Sequence, residues 1–273
     1  MVVSLWEFPI FEDLMKQMKK SPLILICNDD GYKARGIREL TRVAQSFGEV
    51  VVVAPVSGQS GMSHAVTLNH PIRYKTVSVD GEVPAYACTG TPADCVKLAL
   101  NRILDRKPDL VLAGINHGSN ASVSLFYSGT VAAVIEACFN GITAAAFSVD
   151  DHDPETDLHT AVQNIPSVIR YLLKQGLPDG TCLNVNFPKG APEDFKGMKV
   201  CRQTIGVWKE EFDQRIDPHG RTYYWLTGAF SNEEPEEDDT DEWALEHHYG
   251  AIVPVKIDLT DRVTLEEMKR YGL

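Results

Sequence analysis

With 273 residues, 44% of them hydrophobic, the chain is long enough for one sizeable core or two small ones, and it carries no collagen-like, coiled-coil or low-complexity sequence. Twenty-six Lys and Arg against 38 Asp and Glu leave a formal charge of −12. Such a surface repels a nucleic-acid backbone, which excludes a duplex-coating protein. An anionic substrate such as a phosphate ester then requires a local positive field, and a bound divalent cation is the simplest source. The segment MVVSLWEFPIFEDLMKQMKK places Glu7, Glu12 and Asp13 where a secretory signal would be basic. The longest apolar runs fall far short of the ~20 residues of a membrane span. A soluble, cytoplasmic protein with no membrane partner is expected. Cys27, Cys88, Cys95, Cys138, Cys182 and Cys201 form no C-x-x-C pair and read as reduced, mostly buried thiols.

Short all-apolar runs alternate with helical patterns over the first two thirds, as a parallel sheet covered on both faces requires. Leu23–Cys27 (LILIC) is the first strand. Ile37, Leu40, Ala44 and Phe47 then follow helical spacing up to Gly48, and residues 50–54 (VVVVA) form a second strand halted by Pro55. Residues 66–87 alternate weakly and predict one or two hairpins. Thr91-Pro92-Ala93-Asp94 opens a helix with a cap, Pro at its first position and an acid in its first turn, running to about Leu104. Residues 109–113 predict a strand, 129–139 a helix, 143–148 a strand, 157–175 a helix interrupted near Pro166, and 182–187 a strand. Beyond Pro188 the texture becomes aromatic, polar and alternating, including Tyr223-Tyr224-Trp225. An acidic run at 233–241 follows and reads as a solvated linker. Residues 252–258 predict a further strand, and Thr264-x-x-Glu267 a capping box opening a short terminal helix.

The expected fold is therefore α/β: a Rossmann-like, doubly wound, mostly parallel sheet in three layers, with a C-terminal β-arm and terminal helix available for oligomerisation. An N-terminal extension (1–22) precedes a core (23–195), an extended arm with the acidic loop (196–245), and a returning strand with the last helix (246–273). A short helix at 15–20 falls within the extension.

Ligands of open α/β sheets bind beyond the carboxyl ends of the strands. The loops there are Asn28-Asp29-Asp30-Gly31, the stretch from Pro55 to Gly61, and Gly114-Ile115-Asn116-His117-Gly118-Ser119-Asn120. Adjacent strand residues point to opposite faces, so Asp29 and Asp30 converge only if the chain turns, which Gly31 permits. Two carboxylates held that close call for a cation or a shared proton. Their hard oxygens suit magnesium, manganese or calcium, and no zinc-spaced His/Cys cluster competes. The bland alternative has Asp29 capping the turn and Asp30 solvated. Tyr127-Ser128-Gly129-Thr130 precedes an apolar helix whose start is either a phosphate site or an ordinary cap. No P-loop, no G-x-G-x-x-G after the first strand and no G-x-S-x-G elbow is present.

The ordered set I-C-N-D-D-G (26–31), A-x-G-I-R-x-L (34–40), V-V-A-P with S-G-Q-S-G-M-S-H (52–64), G-T-P-A-D-C-V (90–96), A-G-I-N-H-G-S-N (113–120), Y-S-G-T-V-A-A (127–133) and L-N-V-N-F-P (183–188) resembles the survival protein SurE family of nucleotidases. The likeness extends to D-P-x-G-R-x-Y-Y-W-L (217–226) and P-V-K-I-D-L-T (254–260). It implies a metal-dependent phosphomonoesterase acting on nucleoside 5′- and 3′-monophosphates, assembled as dimers or tetramers through C-terminal arms and exchanged helices. By motif position it places one divalent ion (Mg2+, Mn2+ or Ca2+) on Asp29, Asp30, Ser60 and Asn116, and the phosphate on Asn120, Ser128, Gly129 and Thr130. This chain departs from the family at 121–126, where many members carry G-D-D-V, and in its first ~20 residues. His64 is a candidate acid for the leaving alcohol or a structural histidine. Attack by water and attack by Asp29 both remain open, as does a non-catalytic nucleotide-sensing module.

Overall fold

The apolar runs become one buried sheet. A computed structural model of the chain describes residues 21–209 and 211–273; the helix predicted at 15–20 and most of the N-terminal extension lie outside the described residues. β1 (Leu23–Cys27) is buried throughout. Ile24 and Ile26 enter one core cluster and Leu25 and Cys27 another, as the alternation of side chains across a sheet covered on both faces demands. The remaining strands are β2 (Glu49–Pro55), β3 (Tyr74–Val77), β4 (Ala85–Cys88), β5 (Leu110–His117), β6 (Ala144–Val149), β7 (Thr181–Phe187), β8 (Met198–Val200), β9 (Gly206–Lys209), β10 (Phe212–Ile216), β11 (Thr222–Leu226), β12 (Ala229–Asn232) and β13 (Gly250–Lys256). Nine of them form a sheet of order β3-β4-β2-β1-β5-β6-β7-β13-β8. Its neighbours run parallel except β3 with β4 and β13 with β7. The predicted hairpin region is thus a single antiparallel pair, Tyr74 opposite Cys88.

Helices cover both faces. α1 (Arg35–Gln45) and α4 (His159–Gln175) bury Ile37, Leu40, Ile165, Val168, Ile169 and Leu172 in the first cluster. α2 (Pro92–Leu98), which continues as a wider turn to Ile103, and α3 (Gly129–Phe139) bury Cys95, Val96, Val131, Val134 and Ala137 in the second. Each fully buried aliphatic side chain contributes about 1.5–3 kcal/mol. This settles the question of Pro166. The expected interruption is absent, because the ~3 kcal/mol that an interior proline costs is outweighed by Ile165, Val168, Ile169 and Leu172, and the helix runs through. At the start of α2 the predicted cap is present: Thr91 Oγ1 accepts from Asp94 N at 3.2 Å, and Asp94 Oδ2 accepts from Thr91 N at 2.9 Å.

The last third differs from expectation in two details. The terminal helix α6 (Arg262–Arg270) starts earlier than the Thr264 box. Asp261 caps it, accepting from Val263 N at 2.9 Å and Thr264 N at 3.3 Å, while Thr264 itself donates its hydroxyl to Asp261. The acidic run is anchored, although most of its carboxylates are exposed. Arg202 pairs with Glu234 at 2.8 Å and Asp239 at 3.0 Å. Asp241, opening α5 (Asp241–Glu246), is buried and accepts from Thr204 N at 2.9 Å, Thr204 Oγ1 at 2.6 Å and Ser122 N at 3.0 Å. β9 pairs with β12 and β10 with β11 as two separate ribbons outside the sheet. All six cysteines are buried and unbridged. Among the described residues no helix is long and apolar enough to cross a membrane.

Candidate functional site

Because β1, β2, β5, β6 and β7 are parallel, their following loops gather at one edge. The loop after β1 turns as anticipated: Gly31 has φ +96°, and Asn28 Nδ2 closes the turn on Gly31 O at 3.0 Å. Asp29 is 3% exposed. Its Oδ1 accepts a short hydrogen bond from Thr130 Oγ1, so the carboxylate sits against the N-terminal end of α3. Only glycine permits this approach, since a Cβ on Gly129 would stand 2.8 Å from Asp29 Cβ. Burial, and secondly the charge of Asp30, push the Asp29 carboxyl up to about 6, against the opposing pull of Thr130. Asp30 lies beside His117, whose backbone N and ring Nδ1 are both 3.4 Å from Asp30 Oδ2.

The other candidate residues reach the same edge from separate elements. The loop bearing Ser60 is tied down by Gln59 N donating to Asp29 O at 2.8 Å and Ser63 N donating to Tyr127 O at 3.0 Å. Thr67 N and Oγ1 both donate to Asp94. β5 shifts register against β6 between Ala113 and Asn116. Asn116 Nδ2 is turned onto Gly118 O at 2.8 Å. Asn120 donates Nδ2 to Ser148 Oγ at 2.6 Å and N to Asn186 Oδ1 at 2.8 Å, which locks it to the ends of β6 and β7. Ser128 Oγ caps α3 by accepting from Val131 N at 3.0 Å.

These groups surround a cavity of about 630 Å³. Asp29, Ser60, Asn116, Asn120 and Ser128 line it, whereas Asp30, Gly129, Thr130 and His64 do not. His64 Nε2 lies 3.2 Å from Glu136 Oε2, and its ring stacks on Phe139 at 5.5 Å. Glu136 is buried and also bonded to Lys97 at 2.8 Å. These contacts join the loop that bears Ser60 to α3. The cavity is also lined by His117 of the third predicted loop and by residues that sequence reasoning left out: Asp150, His152, Glu242 and the aromatic pair Trp208 and Phe230. Burial, and then the charges of Asp241, Asp150 and Glu246, raise Glu242 to about 7. Burial also raises Asp150 above the usual range. Asp150 and His152 follow β6 directly, so the strand-end argument applied to one more strand finds them. Glu242 and the aromatic pair come from the arm region and carry no local signal.

Hard oxygen donors grouped at the carboxyl edge of a doubly wound sheet define an open α/β protein with a small-ligand site. The sequence profile of the family described as Survival protein SurE matches residues 24–210. The chain is 49% identical over 253 residues to the 5′-nucleotidase SurE of Flavobacterium psychrophilum, spanning 92% of this chain and 98% of that protein. It is 44% identical over 254 residues to the 5′-nucleotidase SurE of Bacteroides fragilis, spanning 93% and 99%. The crystal structure of the SurE protein from Aquifex aeolicus superposes with a TM-score of 0.79 at 36% identity, covering 92% of this chain and 100% of that one. The chain belongs to the survival protein SurE family.

Proposed function

We infer that this chain is a 5′-nucleotidase, hydrolysing nucleoside 5′-monophosphates to nucleoside and phosphate. The reading rests on the name its relatives carry over nearly the whole chain. The one structural observation that carries it is the buried Asp29 carboxylate, set at the mouth of a nucleotide-sized cavity against the start of α3. Action on 3′-monophosphates is the broader form of the same proposal.

SurE nucleotidases are in general metal-dependent, and the residues here fit a divalent ion. Asp29 is driven towards protonation by burial and by Asp30, and among the described residues no cationic side chain is a cause that opposes this. A divalent cation relieves that repulsion directly. Among the described residues no group of three His, Cys, Asp or Glu side chains is placed to hold a metal ion, and a donor set of two carboxylates completed by neutral oxygens fits that arrangement. Asp29, Asp30, Ser60 and Asn116 would hold the ion, and all-oxygen ligation favours Mg2+, Mn2+ or Ca2+ over zinc. The chemistry a bound cation supplies in such a setting is neutralisation of phosphoryl charge and acidification of water.

The protein's own groups do the rest. Ser128 and Asn120 line the cavity, and the positive end of α3 at Gly129 and Thr130 favours the substrate's phosphate. The Thr130 hydroxyl holds Asp29 in one orientation, and the anchored Ser60 loop keeps its hydroxyl at the cavity rim. We also assign self-association, as a dimer or tetramer, to the arm of residues 196–245, whose strand β11 is exposed at every residue, and to α6, none of whose residues is buried. No observation favours the nucleotide-sensing alternative. Phosphate release from nucleoside monophosphates with added Mn2+ or Mg2+, and its loss with a chelator, tests the proposal. No release from any monophosphate at saturating metal overturns it.

A further inference from the structure

One wall of the cavity is unlike the others. Trp208 on β9 and Phe230 on β12 stand directly opposite each other in the antiparallel pairing. Their ring centroids are 6.0 Å apart and their planes inclined at 65°, an edge-to-face contact that braces each ring against the other. Both line the cavity that Asp29 and Ser128 also line, and Leu226 continues the apolar surface from the end of β11. At about 630 Å³ the cavity lies within the range of sites for drug-sized ligands, far more than a phosphate group fills. Trp208 remains 38% exposed, although the indole is among the most apolar surfaces a chain can bury. A braced aromatic wall continuous with a phosphate-sized polar end calls for a ligand with a flat π face at one end and an anion at the other.

Building on the nucleotidase reading, we propose that Trp208 and Phe230 form the nucleobase subsite: the base stacks on the aromatic wall supplied by β9 and β12 while the phosphate occupies the Asp29 and Ser128 end. Every base has a π face, so such a wall discriminates nucleotides from other phosphomonoesters more sharply than it discriminates one base from another. The larger purine face gains more than a pyrimidine. The arm thereby acts in selectivity, apart from any part in assembly.

The test compares adenosine 5′-monophosphate with ribose 5-phosphate, which has the same sugar and phosphate and no base. Wild-type enzyme is expected to prefer the nucleotide in kcat/KM by roughly 5- to 100-fold, the worth of one base–aromatic stack. In W208A this preference falls to within about twofold, whereas W208F keeps most of it because an aromatic face remains. Equal kcat/KM for the two esters in the wild type overturns the subsite, and so does an undiminished preference in an active W208A. If W208A loses both activities, the wild-type ratio and W208F decide the matter without it. Failure of the wild type to hydrolyse either ester removes the nucleotidase reading and the subsite with it, so the two failures are distinguishable.

Discussion

Leu25 in β1 is 0% exposed, and Leu226 in β11 is 71% exposed. The contrast holds for whole elements: β1 is buried at every residue and β11 exposed at every residue. The sheet with its four covering helices therefore carries the apolar stabilisation, at about 1.5–3 kcal/mol per buried side chain. The arm region is fastened to it by a small apolar cluster, in which Cys201, Ala244 and Leu245 pack with Ala121, Ala251 and Val253, and by polar contacts. Asp241 joins Thr204 to Ser122, and Arg202 joins Glu234 and Asp239. The cavity thus takes Asp29 from the buried sheet and Trp208 and Phe230 from the more exposed ribbons.

The largest expected effect breaks one side of this contrast. Asp29→Asn should lower kcat/KM by at least about 10³-fold, or ~4 kcal/mol, with the circular dichroism spectrum unchanged; a variant within tenfold of wild type would remove Asp29 from the chemistry. Asp241→Ala tests the fastening between the two regions. It leaves the Ser122 and Thr204 donors unpaired and should cost about 3–4 kcal/mol in urea unfolding. An unmoved midpoint would mean the arm is held elsewhere.

The pH dependence sharpens the picture of the core. Asp29 in the folded, chelator-treated protein titrates near 6, above its ordinary 3.8, so between these values the native state binds the proton and the unfolded state does not. Stability from this group is then greatest below about pH 4 and is lost, by about 3 kcal/mol in all, as pH rises through 6 to about 7. That slope should vanish in Asp29→Asn measured the same way. The smallest effect lies in the arm: Ile216→Thr, at a residue 66% exposed, should shift the unfolding midpoint by less than about 0.5 kcal/mol. A cost above 1 kcal/mol would show that this strand is packed against a second copy, which sedimentation would detect.

Much of this was legible in the sequence because local pattern and tertiary role coincide. LILIC and VVVVA have no polar residue to expose, so both faces of their strands had to be covered, and the N-D-D-G turn needed its glycine. The misreadings arose where long-range packing overrode a local rule. Pro166 lies inside a helix held by four buried aliphatics, and Asp261 captured a cap that Thr264 seemed to own. In the acidic run, charge composition concealed two roles, since Asp241 and Glu234 satisfy distant backbone donors. Among the site residues, those on strand-end loops were accessible to reasoning, whereas Glu242, Trp208 and Phe230 come to the cavity only through the path of the arm. His64 was singled out from its loop alone, and its contact with Glu136, 72 residues away, has no signature in that loop.

The antiparallel strand β13 has a consequence for how the molecule is made. It is inserted between β7 and β8, so the central sheet is completed by a segment translated long after its other strands. During synthesis, which adds ~5–20 residues per second, the nascent chain displays the free edge of β7 for several seconds before Gly250–Lys256 leaves the ribosome. An open row of backbone donors and acceptors is an invitation to misassociation. Prolonging that interval, by a ribosomal stall between the codons for Phe187 and Gly250, prolongs the exposure of the growing polypeptide to aggregation.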